Sequence, residues 1–339
     1  MTIDFRSDTI TKPTKEMLEA MFQAEVGDDI FNEDPTINAL ENKIAELFGM
    51  EDALFCASGT MTNQIGIRVN TAPQDEVICD QNAHIYKYEG GGMMSNSLVS
   101  VRLLNGDRGR INVDQVRENI NADDIHLPKT QLVSIENTMN KGGGSCYDYD
   151  EVVAISSLCK EHGINFHLDG ARLFNALVAK NQSPLQWGKL FDTVSVCFSK
   201  GLGAPVGSAL IGSKATIKKA RRVRKTFGGG WRQAGYLAAA CIYALDHNVE
   251  RMAQDHENAA LIGSAFSEKS FISNVLNVET NIVIAECDAI SPEELVTKLG
   301  DKGFLCFPFS KTEFRIVTHL EIGDTQMDKA LEIIKNLEI

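Results

Sequence analysis

The chain has no apolar run near the ~18 residues that a membrane span requires. Residues Met1 to Asp8 lack the basic-then-apolar order of a signal peptide. No Gly-x-Gly-x-x-Gly or Walker pattern occurs, so nucleotide binding has no motif to rest on. The eight cysteines include no Cys-x-x-Cys pair, so neither a zinc site nor a disulfide framework is signalled, and no metal is expected. Cys56, Cys79, Cys197 and Cys241 lie inside apolar runs, where a small buried thiol is the expected role. Positive charge is scarce: 33 Lys and Arg face 46 Asp and Glu, for a net charge of −13. Phosphate surfaces would repel such a chain, which argues against nucleic acid or an anionic membrane as partner. The expectation is a soluble, cytoplasmic protein acting on a small molecule.

At 339 residues the chain exceeds one compact core. Short apolar runs alternate with helix-length segments. Strands are expected at 53–56, 76–79, 97–103, 131–135, 165–168, 193–198 and 208–211, with helices between several of them, such as 148–161 and 171–179. That order predicts an α/β fold, a mostly parallel sheet with helices on both faces. After Trp231 the pattern changes to two long helices, 233–245 and 249–267. Strands at 281–286, 303–307 and 315–317 follow, with helices between. A large domain over 1–249 and a smaller C-terminal α+β domain over 250–339 are therefore expected.

Two apolar strands each stop at a charged residue and turn on glycine: Phe166-His167-Leu168-Asp169-Gly170 and Val194-Ser195-Val196-Cys197-Phe198-Ser199-Lys200-Gly201. Their separation suits one strand–helix–strand crossover, which would put Asp169 and Lys200 at the carboxyl ends of neighbouring parallel strands. A lysine amine there can form an imine with an aldehyde. An aspartate beside it can keep a pyridine nitrogen protonated and turn the ring into an electron sink. An Asp–Lys salt bridge at a loop rim explains either residue alone, but explains the pair in this setting less well.

A phosphate site is the next requirement. Leu54-Phe55-Cys56-Ala57-Ser58-Gly59-Thr60 runs from a strand into a helix, whose free N–H groups and two hydroxyls suit a dianion. Ordinary capping by Ser58 or Thr60 explains the same letters. His84, following the apolar run 77–79, could stack on a ring; a structural histidine remains the plainer reading.

Together these motifs resemble the L-threonine aldolases, a family of pyridoxal 5′-phosphate (PLP) enzymes in the aspartate-aminotransferase fold group. The resemblance rests on Arg6-Ser7-Asp8-Thr9, Gly27-Asp28-Asp29, Glu33-Asp34-Pro35-Thr36, Ser58-Gly59-Thr60-Met61, His84-Ile85 and Glu136-Asn137-Thr138. It rests equally on Leu168-Asp169-Gly170-Ala171-Arg172, Ser199-Lys200-Gly201-Leu202-Gly203-Ala204-Pro205 and Gly228-Gly229-Gly230-Trp231-Arg232-Gln233. It covers the chain nearly end to end, in the family's order and spacing.

The resemblance implies a role for each matching residue. Lys200 matches the Schiff-base lysine, Asp169 the partner of the pyridine nitrogen, and His84 the stacking histidine. Gly59 and Thr60 match phosphate contacts. Ser7, Arg172 and Arg315 match groups that hold the substrate carboxylate, a task suited to a guanidinium fork. His126 matches a second active-site histidine near the substrate hydroxyl. Lys225 and Arg232 match positions that reach a neighbouring subunit's site, which implies a homo-oligomer, a dimer of dimers with shared sites. The implied reaction is retro-aldol cleavage of L-threonine, L-allo-threonine or a related β-hydroxy-α-amino acid to glycine and an aldehyde, with His84 or His126, or a water they position, as base.

The chain also departs from the family's usual pattern. Phe31-Asn32 stand where Tyr-Gly is common, Thr62 replaces a glycine, and Met139 replaces a histidine. These changes bear on substrate rather than on cofactor chemistry. Two other readings stay open: a PLP-dependent β-eliminating lyase or an aldolase for a bulkier substrate, and a PLP-binding protein without turnover.

Overall fold

A computed structural model describes every residue from Met1 to Ile339. The N-terminal segment supplies a short strand, β1 (Ile3–Asp4). The main sheet is built from β2 (Asp52–Cys56), β3 (Glu76–Asp80), β4 (Ser100–Leu104), β5 (Thr130–Glu136), β6 (Asn165–Gly170), β7 (Thr193–Cys197) and β8 (Ser208–Gly212). The spatial order is β2-β8-β7-β6-β5-β3-β4. Only β8 runs against its neighbours, pairing antiparallel with β2 and β7. The mostly parallel α/β sheet read from the sequence is therefore present.

Why these runs form this sheet follows from their covering. β3, β7 and β8 are buried at every position. A strand covered on both faces needs apolar or internally paired side chains throughout rather than alternation. The edge strand β4 is the exception and leaves Ser100 and Leu103 exposed. It also starts later than its apolar run suggests. Ser97 closes a short helix, Gly92–Ser97, and Leu98 takes a left-handed φ of 57° before the chain extends.

The helices carry the end signals expected of them. Asp34 caps Pro35–Phe48 and Gly49 ends it at φ 62°. Ser58 caps Gly59–Asn70 through the N–H of Met61. Asp148 caps Tyr149–His162.

The C-terminal part forms a second sheet from β9 (Ile272–Val275), β10 (Ile282–Cys287), β12 (Phe307–Pro308) and β13 (Glu313–Val317), all antiparallel, in the order β12-β13-β10-β9. The helices Met252–Ser267, Pro292–Asp301 and Asp324–Lys335 accompany it. Its core contains Ile262, Phe266, Leu295, Phe314 and Ile316, but also Ile3 and Phe5. The short strand β11 (Phe304–Leu305) pairs with β1 in parallel, and the Val317 N–H donates to the Phe5 carbonyl. The expected division placed residues 1–249 in one unit. The structure instead gives the first few residues to the smaller core, because Ile3 and Phe5 bury apolar side chains there. No helix is long and apolar enough to cross a membrane, and all eight cysteines are free and buried.

Candidate active site at the carboxyl ends of the parallel strands

Strands β6 and β7 are adjacent and parallel, with Asp169 opposite Ser195. Asp169 is buried near the end of β6, and Lys200 is half-buried just beyond β7. The Asp169 carboxylate accepts from Asn63 Nδ2 at 2.9 Å and from the Ala171 N–H at 3.1 Å.

Asn63 is oriented from behind. His167 Nε2 lies 3.3 Å from Asn63 Oδ1, and His167 Nδ1 lies 2.8 Å from Thr193 Oγ1, which also accepts from Asn70. Burial pushes His167 down to about 4, so the ring is neutral, with one nitrogen donating and the other accepting. The proton on Nε2 then satisfies Asn63 Oδ1 and turns the amide NH2 toward the carboxylates.

That same nitrogen, Asn63 Nδ2, also donates to Glu89 Oε1 at 2.9 Å. Glu89 is buried, accepts from Gln64, and meets His84 Nδ1 at 2.9 Å. Burial disfavours a charged His84, but the Glu89 bond and the charges of Asp169, Glu136 and Glu89 outweigh it and raise its pKa. His84, Glu89 and Asp169 place three ligand atoms within 4.8 Å of one another, as a metal site would. The Asn63 NH2 donates to both carboxylates, so an N–H donor stands where a cation would bridge them. Glu89 was not singled out from the sequence; its position just before Gly90-Gly91 in a His-containing segment was the available signal.

A second cluster lies on the substrate side. Asp8 is fully buried and forms a bidentate pair with Arg172, Nε to Oδ2 at 2.8 Å and Nη2 to Oδ1 at 2.7 Å. Burial alone would raise the Asp8 carboxyl; the charges of Arg172, Lys200 and Arg315 instead hold it at about 2. Arg172 thus pairs directly with this carboxylate, and the charges of Lys200 and Arg315 act on it as well. Arg315, on β13, donates to Asn140 Oδ1 at 2.9 Å and to the Arg6 carbonyl at 3.2 Å. Its Nε is buried without a partner. Burial and the nearby Arg172 charge lower Arg315 to about 10, which leaves it cationic at neutral pH. Ser7 Oγ caps the turn at Asp8–Ile10 by accepting from the Thr9 N–H at 3.2 Å.

The start of the helix Gly59–Asn70 offers an anion cradle. Ser58 Oγ takes the N–H of Met61, and the first-turn N–H groups of Gly59 and Thr60 have no intrahelical acceptor. A Cβ at Gly59 would lie 2.7 Å from Cys197 Sγ, so only glycine lets this turn sit against the end of β7. A strand-end lysine, a held carboxylate on the neighbouring strand and this cradle together fit a phosphorylated pyridine aldehyde.

Of the residues singled out above, His126 lies away from the cleft, whereas Lys225 and Arg232 flank a glycine turn whose Gly229 packs against Met61 in the first turn of the cradle helix. His126 is on an exposed loop whose neighbour Asn121 bonds Glu76 at the start of β3 and the Pro128 carbonyl just before β5. That is the end of the sheet opposite Asp169. Within one chain, His126 therefore does not join Lys200 and His84; it pairs with Asp124 instead. Lys225 and Arg232 are exposed, with Arg232 held by Asp28 at 2.9 Å. The basic run before them is less exposed than its letters suggest. Arg221 pairs with Glu41 at 2.7 Å, and buried Arg224 pairs with Asp29, leaving Lys218, Lys219 and Arg222 outward. Two of the departures from the family pattern adjoin the site. Thr62, next to Asn63, meets Ser195 Oγ at 2.6 Å and locks the helix to β7, and Met139, next to Asn140, is fully buried; Phe31 is exposed at a surface turn.

Comparison with known proteins decides the family. A family model described as beta-eliminating lyase matches residues 4–289. A probable low-specificity L-threonine aldolase of Arabidopsis thaliana is 40% identical over 99% of this chain and 97% of its own. The low specificity L-threonine aldolase of Escherichia coli (strain K12) is 38% identical over 96% of each. The chain belongs to the L-threonine aldolase family. Such family members are PLP-dependent lyases, and the fold agrees. A threonine aldolase structure from Leishmania major superposes with a TM-score of 0.85 at 22% identity, over 98% of both chains. A putative L-allo-threonine aldolase from Listeria monocytogenes gives 0.80 at 22% identity, over 95% of this chain and 93% of that one.

Proposed function

We propose that the protein is a PLP-dependent aldolase that cleaves L-threonine, L-allo-threonine or a closely related β-hydroxy-α-amino acid to glycine and an aldehyde. The observation that carries this reading is the buried Asp8–Arg172 pair just beyond the strand-end Asp169, with the charges of Lys200 and Arg315 acting on the same carboxylate. An amine for imine chemistry and two guanidinium groups for a carboxylate are what an α-amino acid site needs. The names of the relatives, at about the same identity across the full chain, support the same substrate class.

When bound, PLP supplies the electron sink that allows the Cα–Cβ bond of an amino acid to break. The chain's own residues do the rest. Lys200 offers the amine that holds the cofactor's aldehyde carbon. Asp169, kept in place by Asn63 and the Ala171 N–H, pairs with a protonated pyridine nitrogen. Gly59 and Thr60 hold the phosphate by backbone N–H groups. Arg172 and Arg315, with Ser7, hold the substrate carboxylate. His84 keeps Nδ1 on Glu89 and so leaves Nε2 for the ring face, a water or the substrate hydroxyl.

His126, Lys225 and Arg232 belong in this reading to a neighbouring subunit's site, in a homo-oligomer built from two-site dimers. The support is their exposure: the His126 side chain is 82% accessible, next to Ile125 at 98%.

Incubation with L-threonine, L-allo-threonine, phenylserine and serine, with glycine assayed against ammonia, tests the function. Glycine and aldehyde in equal amounts are expected. Ammonia in place of glycine would make the protein an eliminating lyase, and no turnover of any amino acid would leave a PLP-binding protein.

A further inference from the structure

Glu136 closes β5 directly beside Asp169 on β6. It is buried, and its bonding partners are two backbone N–H groups from separate segments. Oε2 accepts from His84 at 2.8 Å, and Oε1 accepts from Asn140 at 2.9 Å. Each of those residues sends its side chain to one half of the cleft. His84, after β3 in the large domain, reaches Glu89 beside Asp169. Asn140 gives its Oδ1 to Arg315 on β13 of the smaller domain, at 2.9 Å. Apart from Asn140, the Arg315 guanidinium hydrogen-bonds only to the Arg6 carbonyl, with Nε left unpaired, and lies 5.1 Å from the Phe309 ring centre, so Asn140 supplies its one side-chain hydrogen bond.

One buried carboxylate thus stands at the root of two arms of the large domain, one of which reaches across to the smaller domain. Burial and the neighbouring Asp169 charge raise the Glu136 carboxyl to about 7, and the two backbone N–H bonds work against that rise by favouring the ionised acceptor. Glutamine has the same shape, but its NH2 would face one of the two N–H donors, so one arm would lose its anchor.

We propose that Glu136 is a positioning residue that sets the spacing between His84 and, through Asn140, Arg315, and thereby governs how tightly the cleft grips an amino-acid carboxylate. The proposal rests on the amino-acid reading of the cleft given above. A residue that merely braced the fold would change stability and leave ligand affinity alone.

The test uses the PLP-loaded wild-type protein, Glu136→Gln, Asn140→Ala and the double variant. Glycine affinity is measured by calorimetry, KM and kcat with threonine, and melting temperature by scanning fluorimetry. Glu136→Gln and Asn140→Ala should each weaken glycine binding by about tenfold, the effect of one charge-assisted hydrogen bond, and raise KM more than they lower kcat. The double variant should be no worse than the weaker single, because both act through one chain of contacts. Glycine affinity within about twofold of wild type in Glu136→Gln, with only the melting temperature lowered, overturns the proposal, as do fully additive effects. If Glu136→Gln does not fold, Asn140→Ala decides: unchanged glycine affinity and KM overturn the coupling. Wild-type protein that takes up no glycine would overturn the amino-acid reading and this inference with it; wild-type binding with unchanged variants overturns this inference alone.

Discussion

Asp8 and Arg172 lie 164 residues apart in the chain and meet in a buried bidentate ion pair. Asp8 follows a segment fastened to the smaller domain by the pairing of β1 with β11, whereas Arg172 precedes the helix Leu173–Lys180 that follows β6. The pair therefore joins the two cores at the point where the substrate carboxylate would enter. The Asp8 carboxyl is depressed to about 2, so the unfolded chain binds more protons than the folded one as pH falls below the ordinary carboxylate range. The stability this supplies is complete above about pH 4 and is lost as pH drops toward 2. Asp8→Asn should cost about 2 kcal/mol or more near neutral pH, with the gap to wild type closing in acid. Chemical denaturation of both proteins across that range measures it. A gap independent of pH would show that the charge on Asp8 contributes little.

Arg172→Leu should leave cofactor binding in place while raising KM for the amino acid on the order of 100-fold, since it removes a guanidinium and leaves Asp8 buried without its partner. Absorbance of the bound cofactor and steady-state kinetics separate the two effects. Near-normal kcat/KM would remove Arg172 from the carboxylate site.

Lys200→Ala should abolish both turnover and the cofactor linkage that borohydride reduces. Peptide mapping after reduction of the wild-type protein should find the adduct on Lys200. An adduct on another lysine would overturn the assignment.

His84 has its pKa raised by Glu89, Asp169 and Glu136 against the effect of burial. Glu89→Gln removes one of those acceptor charges, so the imidazole should titrate at lower pH than in wild type. Because the folded pKa is raised, the stabilisation from protonated His84 is present at low pH and fades as pH rises through that value. Glu89→Gln should flatten this slope. NMR titration of the His84 ring protons reads the shift directly, and an unmoved titration curve would mean that Glu89 does not govern the charge.

Shared sites can be tested by complementation. Lys200→Ala and Arg232→Ala should each be poorly active alone. Mixed dimers hold one site with both native residues and should recover part of the activity. Verified heterodimers with no gain, or an active species that sediments as a monomer, would rule out the contribution of Arg232 to a partner.

The main sheet was legible in the sequence because strands covered on both faces need apolar or internally paired side chains: β3, β5 and β8 hold short apolar runs, and in β6 and β7 apolar residues alternate with polar ones such as His167 and Ser195 that pair inside the protein. Asp169 and Lys200 stood out for the same reason: each is a charge that ends an apolar run beside glycine. The start of β4 was misplaced because the left-handed turn at Leu98 carries no glycine or asparagine to announce it.

What only the tertiary structure decided is which side chains meet across distant segments. Ile3 and Phe5 look like the beginning of the large domain, yet their burial is completed by Phe266 and Phe304 near the other end of the chain. Glu136, within Glu136-Asn137-Thr138, and Glu89, before Gly90-Gly91, show nothing locally of their partners, and their roles arise from Asn63, His84 and Asn140 arriving from three separate segments. Arg221 and Arg224 read as part of a basic surface, but Glu41 and Asp29 draw them inward. Local sequence fixes the period and ends of helices and strands, since those depend on neighbours along the chain. The pairing of buried charges depends on how the elements pack, because a carboxylate removed from water must find its donors wherever the fold brings them.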